Sequence, residues 1–571
     1  MKRRRANINP PLKLPPSRWG ETFFTQPRVA PPALKRHLVA CCVGMALLIL
    51  GAAGVTAIGK PEPFVDVSEA AGITATHRGH WELFEDDFAS GYLGIGQAWG
   101  DYDRDGWLDL YVTGNRDPSV LYRNQGDGAF VVSQLSPQVA LDDADTGGAV
   151  WADYDNDGWL DLYVLNHGAN TLFHNDGGRG FRDVTEKAGV GDAGKGTTAT
   201  WGDFDGDSFL DLYVVNWSCF PECGDPNITR EHDEARDTLY RNRGDGSFED
   251  VTRLLEYDLL LGAGFSASFV DYDNDGDADI YVVNDQFKNM LGNILWRNDG
   301  AGCGLWCFSE VSIEAGARTF IHGMGLAVGD YDNDLDLDFY FSDMVNGMVL
   351  LQNQGDGAFV DMAEEAGVVV GPSSAVGWGT VFFDYDNDSW LDLYLTATEF
   401  IQFDVFSGPE GMMFEYRDYL FKNRGDGSFA DATPQDWLVD LKPSMGLAYA
   451  DYDKDGFLDF VLGNWNEGYQ LYRNTGAIGG SNNWINIRLV GGGDVNRDAI
   501  GARVTITTDD GRQLLQEVKS GSSLGAGNDT ALHFGLGAAT VRELRVRWPN
   551  GAEEMLSDVE VNQFLEVAYA G

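Results

Sequence analysis

Seven segments of this chain place aspartate at the same four positions of a nine-residue stretch. They are Asp101, Asp103, Asp105 and Asp109 in DYDRDGWLD; Asp153, Asp155, Asp157 and Asp161 in DYDNDGWLD; and Asp203, Asp205, Asp207 and Asp211 in DFDGDSFLD. The series continues with Asp271, Asp273, Asp275 and Asp279, then Asp330, Asp332, Asp334 and Asp338, then Asp384, Asp386, Asp388 and Asp392, and ends with Asp451, Asp453, Asp455 and Asp459. A curling D-x-D-x-D loop gathers three carboxylates around one point, and the ninth residue adds a fourth from the start of the next strand. Hard oxygen donors in flexible geometry suit Ca²⁺, which takes about six to eight oxygens at roughly 2.3–2.6 Å. A backbone carbonyl at position 7 and water would complete the shell. Two like charges about 4 Å apart repel by about 4 kcal/mol at an effective dielectric near 20, so without a cation such a loop would splay or take up protons. The expectation is about seven Ca²⁺, one per repeat, acting as staples rather than as catalysts. Ser208, Leu335 and Ser389 replace, at position 6 of their loops, the glycine that would ease the sharp turn, so binding of lower affinity is expected there while the ligand set stays intact. EF-hand loops share the D-x-D-x-D-G start, but these loops have no Glu at position 12 and no flanking helices.

The elements that must position these loops also repeat. Successive copies start 52, 50, 68, 59, 54 and 67 residues apart. Each follows a run of small residues, as in GIGQAWG (94–100), TTATWG (197–202) and GMGLAVG (323–329), and precedes an apolar stretch such as LYV (110–112). Then come LYRN or a variant (121–124, 239–242, 471–474), a GDG turn (126–128, 244–246, 355–357, 425–427) and a strand such as FEDVT (248–252). The pattern predicts four strands per unit, A to D, with the Asp-rich loop joining A to B and GDG joining C to D. Radial repetition of such units makes a β-propeller, in which the innermost strands crowd around an axis and favour small residues. The seventh copy ends at LYRNTG (471–476) without its strand D, whereas FVDVSEAAG (64–72) stands alone before the first and resembles FRDVTEKAG (181–189) and FVDMAEEAG (359–367). Strand 64–68 is therefore expected to complete the seventh blade and close the ring. The fold class read from these patterns is all-β: a seven-bladed propeller over 63–476, a small β domain over 482–570, and one N-terminal transmembrane helix.

The loops with their LYRN and GDG elements resemble the FG-GAP or VCBS repeat of integrin α-subunit propellers. That resemblance covers 63–476 and implies calcium-stapled blades and roles in adhesion or ligand binding, with no shared catalytic site. After Gly479-Gly480-Ser481 the Asp motif stops, and short strands are expected at 484–491, 502–508, 513–521, 543–549 and 564–569, with hairpin turns at Asp510-Gly511 and Asn550-Gly551. NRDAIGARV (496–504), HFGLG (533–537) and VRWPNG (546–551) resemble the ASPIC/UnbV domain. GLG in that segment reads as a structural turn, since no helix follows it to cradle a phosphate. Together the two parts resemble the cartilage acidic protein family, here without an EGF-like module.

Charge separates the leader from the rest. Residues 1–60 hold ten of the 40 Lys and Arg and one of the 89 Asp and Glu, so residues 61–571 carry a formal charge of −58. Duplex nucleic acid is excluded as a partner, because its binding needs Lys and Arg on phosphates. Leu38–Gly59 holds no charged residue, and at 1.5 Å per residue it spans about 33 Å, enough for a hydrocarbon core of roughly 30 Å. The basic residues before it keep 1–37 cytoplasmic and export the remainder, to a periplasm or cell exterior. The reading favours an uncleaved anchor at 38–59; cleavage near Ala57 would secrete the chain. Cys219 and Cys223, like Cys303 and Cys307, are spaced to close small disulfide loops in an oxidising compartment, with zinc as the weaker alternative.

Other chemistry is sparse. His77-x-x-His80 with Glu82 could bind a transition metal or be an ordinary loop pair, and His322 could reach the axial opening or be structural. No spacing suggests a nucleophilic triad. Strand alternation puts the Asp-rich loops on one end of the propeller and the long B–C insertions 217–237 and 399–418 on the other. The second insertion carries Phe400, Phe403, Phe406, Met412, Met413, Phe414 and Tyr416, which would serve a protein or glycan ligand or pack against neighbouring loops. The function expected is noncatalytic ligand binding or adhesion outside the cytoplasm; the alternatives are a propeller-based polysaccharide lyase or hydrolase and a purely structural envelope protein.

Overall fold

The computed structural model describes residues 62–571 except 80–91, 218–235, 257–258, 261–262, 286–290, 303–305, 345–346, 371–374, 403–412, 435–441 and 522. The predicted segment 38–59 therefore lies outside the described residues, among which no helix is long and apolar enough to cross a membrane. Among the described residues helix is confined to short turns such as Ser68–Ala71, Thr185–Ala188 and Ala363–Ala366, each closed by a left-handed glycine.

Each Asp-rich repeat folds as an antiparallel sheet in sequence order. In the third, Gly196–Gly202, Asp211–Asn216, Thr238–Asn242 and Phe248–Asp250 pair successively, with Trp201 opposite Leu212, Tyr213 opposite Leu239 and Arg241 opposite Glu249. The first two of these strands are buried throughout, and strand D buries only its first residue. A sheet covered on both faces needs continuous apolar or small runs rather than alternation, which is how LDLYVVN and GTTATWG read. Among the described residues seven such sheets occur, and their innermost strands pack in cyclic order, the seventh against the first. Small residues are required there: a Cβ on Gly96 would lie 2.6 Å from Gly147 O. The seventh sheet takes its fourth strand from Phe64–Asp66, with Phe64 opposite Asn474 and Asp66 opposite Tyr472. All-β, propeller-like repeats result, with A–B and C–D turns at one end and B–C connections at the other.

The C-terminal part forms two sheets. Asn483–Val490 lies between Leu532–Gly537 and Gln563–Ala568, and Arg503–Thr508 lies between Gln513–Glu517 and Val541–Arg547, which also pairs with Glu553–Ser557. Ile485, Ile487, Val504, Ile506, Leu544 and Trp548 fill the space between them. Two expectations are corrected. HFGLG is a strand, with Phe534 opposite Ile485, and its Gly535 is needed because a side chain there would collide with Asp384 and Asn387 of the sixth repeat. The expected strand 513–521 stops at Glu517, because the following residues enter the propeller.

That entry joins the two parts. Ala526 and Gly527 pair in parallel with Gln97 and Ala98 of the first inner strand. Gly525 O accepts the Ala149 N–H at 3.3 Å in the second repeat, and Ser520 O accepts Thr200 Oγ1 at 2.6 Å in the third. Ser523 Oγ accepts the Thr380 N–H at 3.0 Å in the sixth, and Asn528 Oδ1 accepts the Tyr449 N–H at 3.0 Å in the seventh. A Gly- and Ser-rich segment, SGSSLGAGND (520–529), thus reaches five inner strands, and Lys60–Gly571 is one compact unit.

Candidate metal centres

Loop geometry repeats as faithfully as loop sequence. The position-5 aspartate accepts the backbone N–H of position 7 in all seven loops, at 2.9–3.1 Å. In six loops the two oxygens of the position-1 aspartate accept the N–H groups of positions 5 and 6, at 2.6–3.1 Å. Asp271 is the exception; its carboxylate stands 3.6 Å from both Arg503 and Arg547. Positions 4 and 6 take positive φ in every loop. Ser208, Leu335 and Ser389 hold φ at 73°, 78° and 79°, the geometry that glycine adopts freely, at a cost of roughly 1–2 kcal/mol each for an L-residue. The turn is held by the bonds to the position-1 aspartate, and the side chain gives way.

These bonds leave specific oxygens over. Buried carboxylate oxygens without a hydrogen-bond donor occur on the position-3 residues Asp155, Asp205, Asp332, Asp386 and Asp453, and on the position-9 residues Asp109, Asp161 and Asp459. Asp271 supplies one in the fourth loop, so every loop has at least one. Carboxylate oxygens of Asp101, Asp103 and Asp109, of Asp203, Asp205 and Asp211, and of Asp271, Asp273 and Asp279 cluster within 4.8 Å. Burial, with neighbouring carboxylates adding to it, pushes Asp109 up to about 9 and Asp153 and Asp330 up to about 8. Desolvated carboxylates with unused lone pairs fit a hard divalent cation, and the position-1, -3, -5 and -9 residues are the ones that would hold it.

A basic or polar side chain from strand C reaches the cluster in six of the seven repeats. Arg123 contacts Asp103 and Asp105, Arg241 contacts Asp205 and Asp207, and Lys422 contacts Asp386 and Asp388. Arg473 stands 3.9 Å from Asp453, and Gln352 donates to Asp332. Arg297 turns instead to Asp299, and His174 occupies this place in the second repeat.

The next residue is an asparagine whose role the sequence did not disclose. The position-9 aspartate accepts its backbone N–H in all seven repeats, at 2.7–2.9 Å. Its Nδ2 donates to the position-8 carbonyl of its own loop and to the position-2 carbonyl of the preceding loop. Asn175 reaches Tyr102, Asn242 reaches Tyr154, Asn298 reaches Phe204, Asn353 reaches Tyr272, Asn423 reaches Tyr331 and Asn474 reaches Tyr385. Asn124 completes the circuit by reaching Tyr452 of the seventh loop. The recurrence of LYRN was the available signal.

The C-terminal sheets lie against this end of the repeats. Asp498 accepts the Asp153 N–H at 2.7 Å, and Asn156 Oδ1 accepts the Arg497 N–H at 2.8 Å. Arg503 reaches Asp271 and Asn274, and Arg512 reaches Ser389. His533 Nε2 is 2.7 Å from Asn387 Oδ1.

The remaining candidates divide differently. His77 is buried, 3.0 Å from Gly94 O, and burial lowers it to about 4; His80 and Glu82 lie outside the described residues. His322 pairs with the buried Asp285 at 3.0 Å, a structural contact. Cys307 is disulfide-bonded, while Cys219, Cys223 and Cys303 lie outside the described residues, as do most of 217–237 and the side chains of 399–416.

Comparison with known proteins follows these boundaries. The FG-GAP-like repeat model matches residues 101–164, 153–214, 228–282, 330–395 and 402–462, more than half of the chain. The ASPIC and UnbV model matches 492–571. Cartilage acidic protein 1 of Homo sapiens is 26% identical over 383 residues, 57% of this chain and 57% of that protein, so the match spans little more than half of the relative's length. Its Xenopus tropicalis counterpart is 26% identical over 513 residues, 84% of this chain and 74% of that protein. Among solved structures, an Agrocybe aegerita lectin that recognises non-reducing terminal N-acetylglucosamine aligns with a TM-score of 0.36 and 17% identity, over 60% of this chain and 80% of that one. AofleA from Arthrobotrys oligospora aligns with a TM-score of 0.31 and 11% identity, over 60% and 87%. The chain belongs to the FG-GAP-like repeat family and carries an ASPIC and UnbV domain after its repeats.

Proposed function

We propose that this chain is an exported, noncatalytic, calcium-binding propeller of seven blades, anchored through residues 38–59, that holds a protein or glycan ligand at a cell surface or in a periplasm. One observation carries the reading: every Asp-rich loop keeps a buried carboxylate oxygen without a donor, and a divalent cation completes such a site. One Ca²⁺ per loop ties strand A to strand B and neutralises charge that would otherwise force the loop open. The C-terminal sheets lie against the loop end, which leaves the end bearing insertions 217–237 and 399–418 for the ligand. Calcium titration of the chelated full chain should return about one ion per loop, seven in all by the count of Asp-rich segments. A glycan and surface-protein screen, run with and without Ca²⁺ and repeated after replacing 399–418 by a short Gly-Ser link, should find a saturable ligand whose affinity falls with the replacement. Unchanged binding would remove the insertion from the reading.

A further inference from the structure

The second repeat departs from the other six at one chemically decisive position. Where they present Arg123, Arg241, Arg297, Gln352, Lys422 and Arg473, it presents His174. A guanidinium or ammonium group has no electron pair for a metal, whereas a neutral imidazole does. His174 Nδ1 lies 3.3 Å from Asp155 Oδ2 and 3.3 Å from Asp161 Oδ1. Two ligand atoms each about 2.1 Å from one ion, at a tetrahedral angle, stand about 3.4 Å apart. The three residues bring one ligand atom apiece to within 4.8 Å of one another.

Lone pairs also remain over. His174 Nδ1 and the second carboxylate oxygens, Asp155 Oδ1 and Asp161 Oδ2, are buried without a hydrogen-bond partner, while Asp161 Oδ1 accepts the Asn175 N–H at 2.7 Å; Asp161 as a whole is only 1% exposed. On the far side of the ring, Nε2 stands 3.7 Å from Asp176 Oδ1. Without an ion, Asp155 and Asp161 at 3.3 Å hold a proton on Nδ1; with a cation in its place, the carboxylate beyond Nε2 holds the proton there, the arrangement common among metal-ligating histidines.

We propose that the second loop is a mixed imidazole–carboxylate site for a borderline transition metal of the zinc class, held by Asp155, Asp161 and His174. The first and the third to seventh loops offer no imidazole, and nitrogen ligation shifts preference from Ca²⁺ toward zinc-class ions. The inference rests on reading the Asp-rich loops as cation sites, and its test separates the two.

The test uses the full chain, stripped with chelator and refilled with excess Ca²⁺, then titrated with Co²⁺ as a spectroscopic stand-in for Zn²⁺. The expected result is one equivalent of Co²⁺ with visible ligand-field bands of a nitrogen-containing site, displaced by Zn²⁺. H174R, which copies the side chain of Arg123, and H174Q, which copies Gln352, should lose that equivalent while keeping the wild-type melting temperature in chelator and its rise on adding Ca²⁺. The same Co²⁺ spectrum and stoichiometry in both variants would overturn the proposal. So would a wild type that binds no Co²⁺ beyond what Ca²⁺ displaces, in which case His174 is a built-in cation like Arg123. If Ca²⁺ itself gives no response in any of the three proteins, the shared reading of the loops as cation sites fails first.

Discussion

Asn124 donates its side-chain amide to the backbone carbonyl of Tyr452 at 3.0 Å, across 328 residues of sequence. The same Nδ2 also reaches Leu108 O at 3.0 Å, and Oδ1 accepts the Gly126 N–H at 2.9 Å. One side chain therefore binds its own Asp-rich loop, its own GDG turn and the loop of the neighbouring repeat. The pattern recurs in all seven repeats, and Asn124 is the member that joins the first to the last. Cohesion between sheets is thus partly polar and directional, beyond the aromatic packing between them.

Replacing Asn124 by alanine removes these bonds and leaves buried carbonyls and an N–H without partners. At about 1–3 kcal/mol for each unsatisfied buried group, N124A should destabilise the chain by roughly 3 kcal/mol, read as a lower denaturant midpoint. Asn124→Asp should be at least as harmful, since it faces Tyr452 O with a second acceptor. A midpoint unchanged in both variants would show that the bonds between repeats contribute nothing.

Metal removal should change how stability depends on pH. Burial raises the folded Asp153 and Asp330 from the ordinary aspartate value of 3.8 to about 8. A chelated native state therefore holds protons that the unfolded chain has released, and its stability falls as pH rises through that window. With Ca²⁺ bound the carboxylates are ionised in the folded state, neither state holds a proton above the ordinary aspartate range, and stability should be nearly independent of pH there. Melting curves in chelator and in saturating Ca²⁺ across the window test a falling slope against a flat one; parallel slopes would count against the loops as cation sites.

Much of this was legible in the sequence because the repeat writes each element seven times. The four strands, the loop at A–B and the borrowed strand at Phe64–Asp66 follow from patterns that a single copy would not have made clear. The asparagine circuit did not follow: LYRN marks the end of strand C, but its bond to the preceding loop depends on how neighbouring sheets sit. The insertion of 520–529 was hidden for a related reason. Gly and Ser richness reads as a solvent loop, whereas here small residues are what the crowded axis admits, as at Gly525, where a Cβ would lie 2.6 Å from Ile95 O.

The strained position 6 can be relieved. Ser208 holds φ at 73°, and Ser208→Gly removes about 1–2 kcal/mol of left-handed strain while adding roughly 0.5–1 kcal/mol of backbone entropy to the unfolded chain. The net expectation is a gain of about 0.5–1 kcal/mol, with Ca²⁺ affinity at that loop unchanged or slightly higher. Arg104→Gly, at a position with φ of 57° in the first loop, should gain less, because Arg104 also lies over the Trp159 ring at 5.3 Å. Loss of stability in S208G would mean that the serine relieves its strain by a contact of its own.

The insertion of 520–529 predicts that the C-terminal sheets and the repeats unfold together. Gly525 combines φ of 60° with a Cβ position 2.6 Å from Ile95 O, and its own carbonyl accepts the Ala149 N–H. Valine there would meet both the backbone strain and the collision. G525V should therefore cost about 3 kcal/mol or more, the range typical of strain combined with a buried clash. The loss should not stay local: amide exchange should quicken at Ala149, Thr380 and Tyr449, whose N–H groups meet this segment, as well as within 520–529. Asp498→Ala offers a milder comparison, since it removes the acceptor for the Asp153 N–H at the edge of the same contact. If G525V quickened exchange only within 520–529, the segment would be a passive filler, and the two parts of the chain would be stable independently.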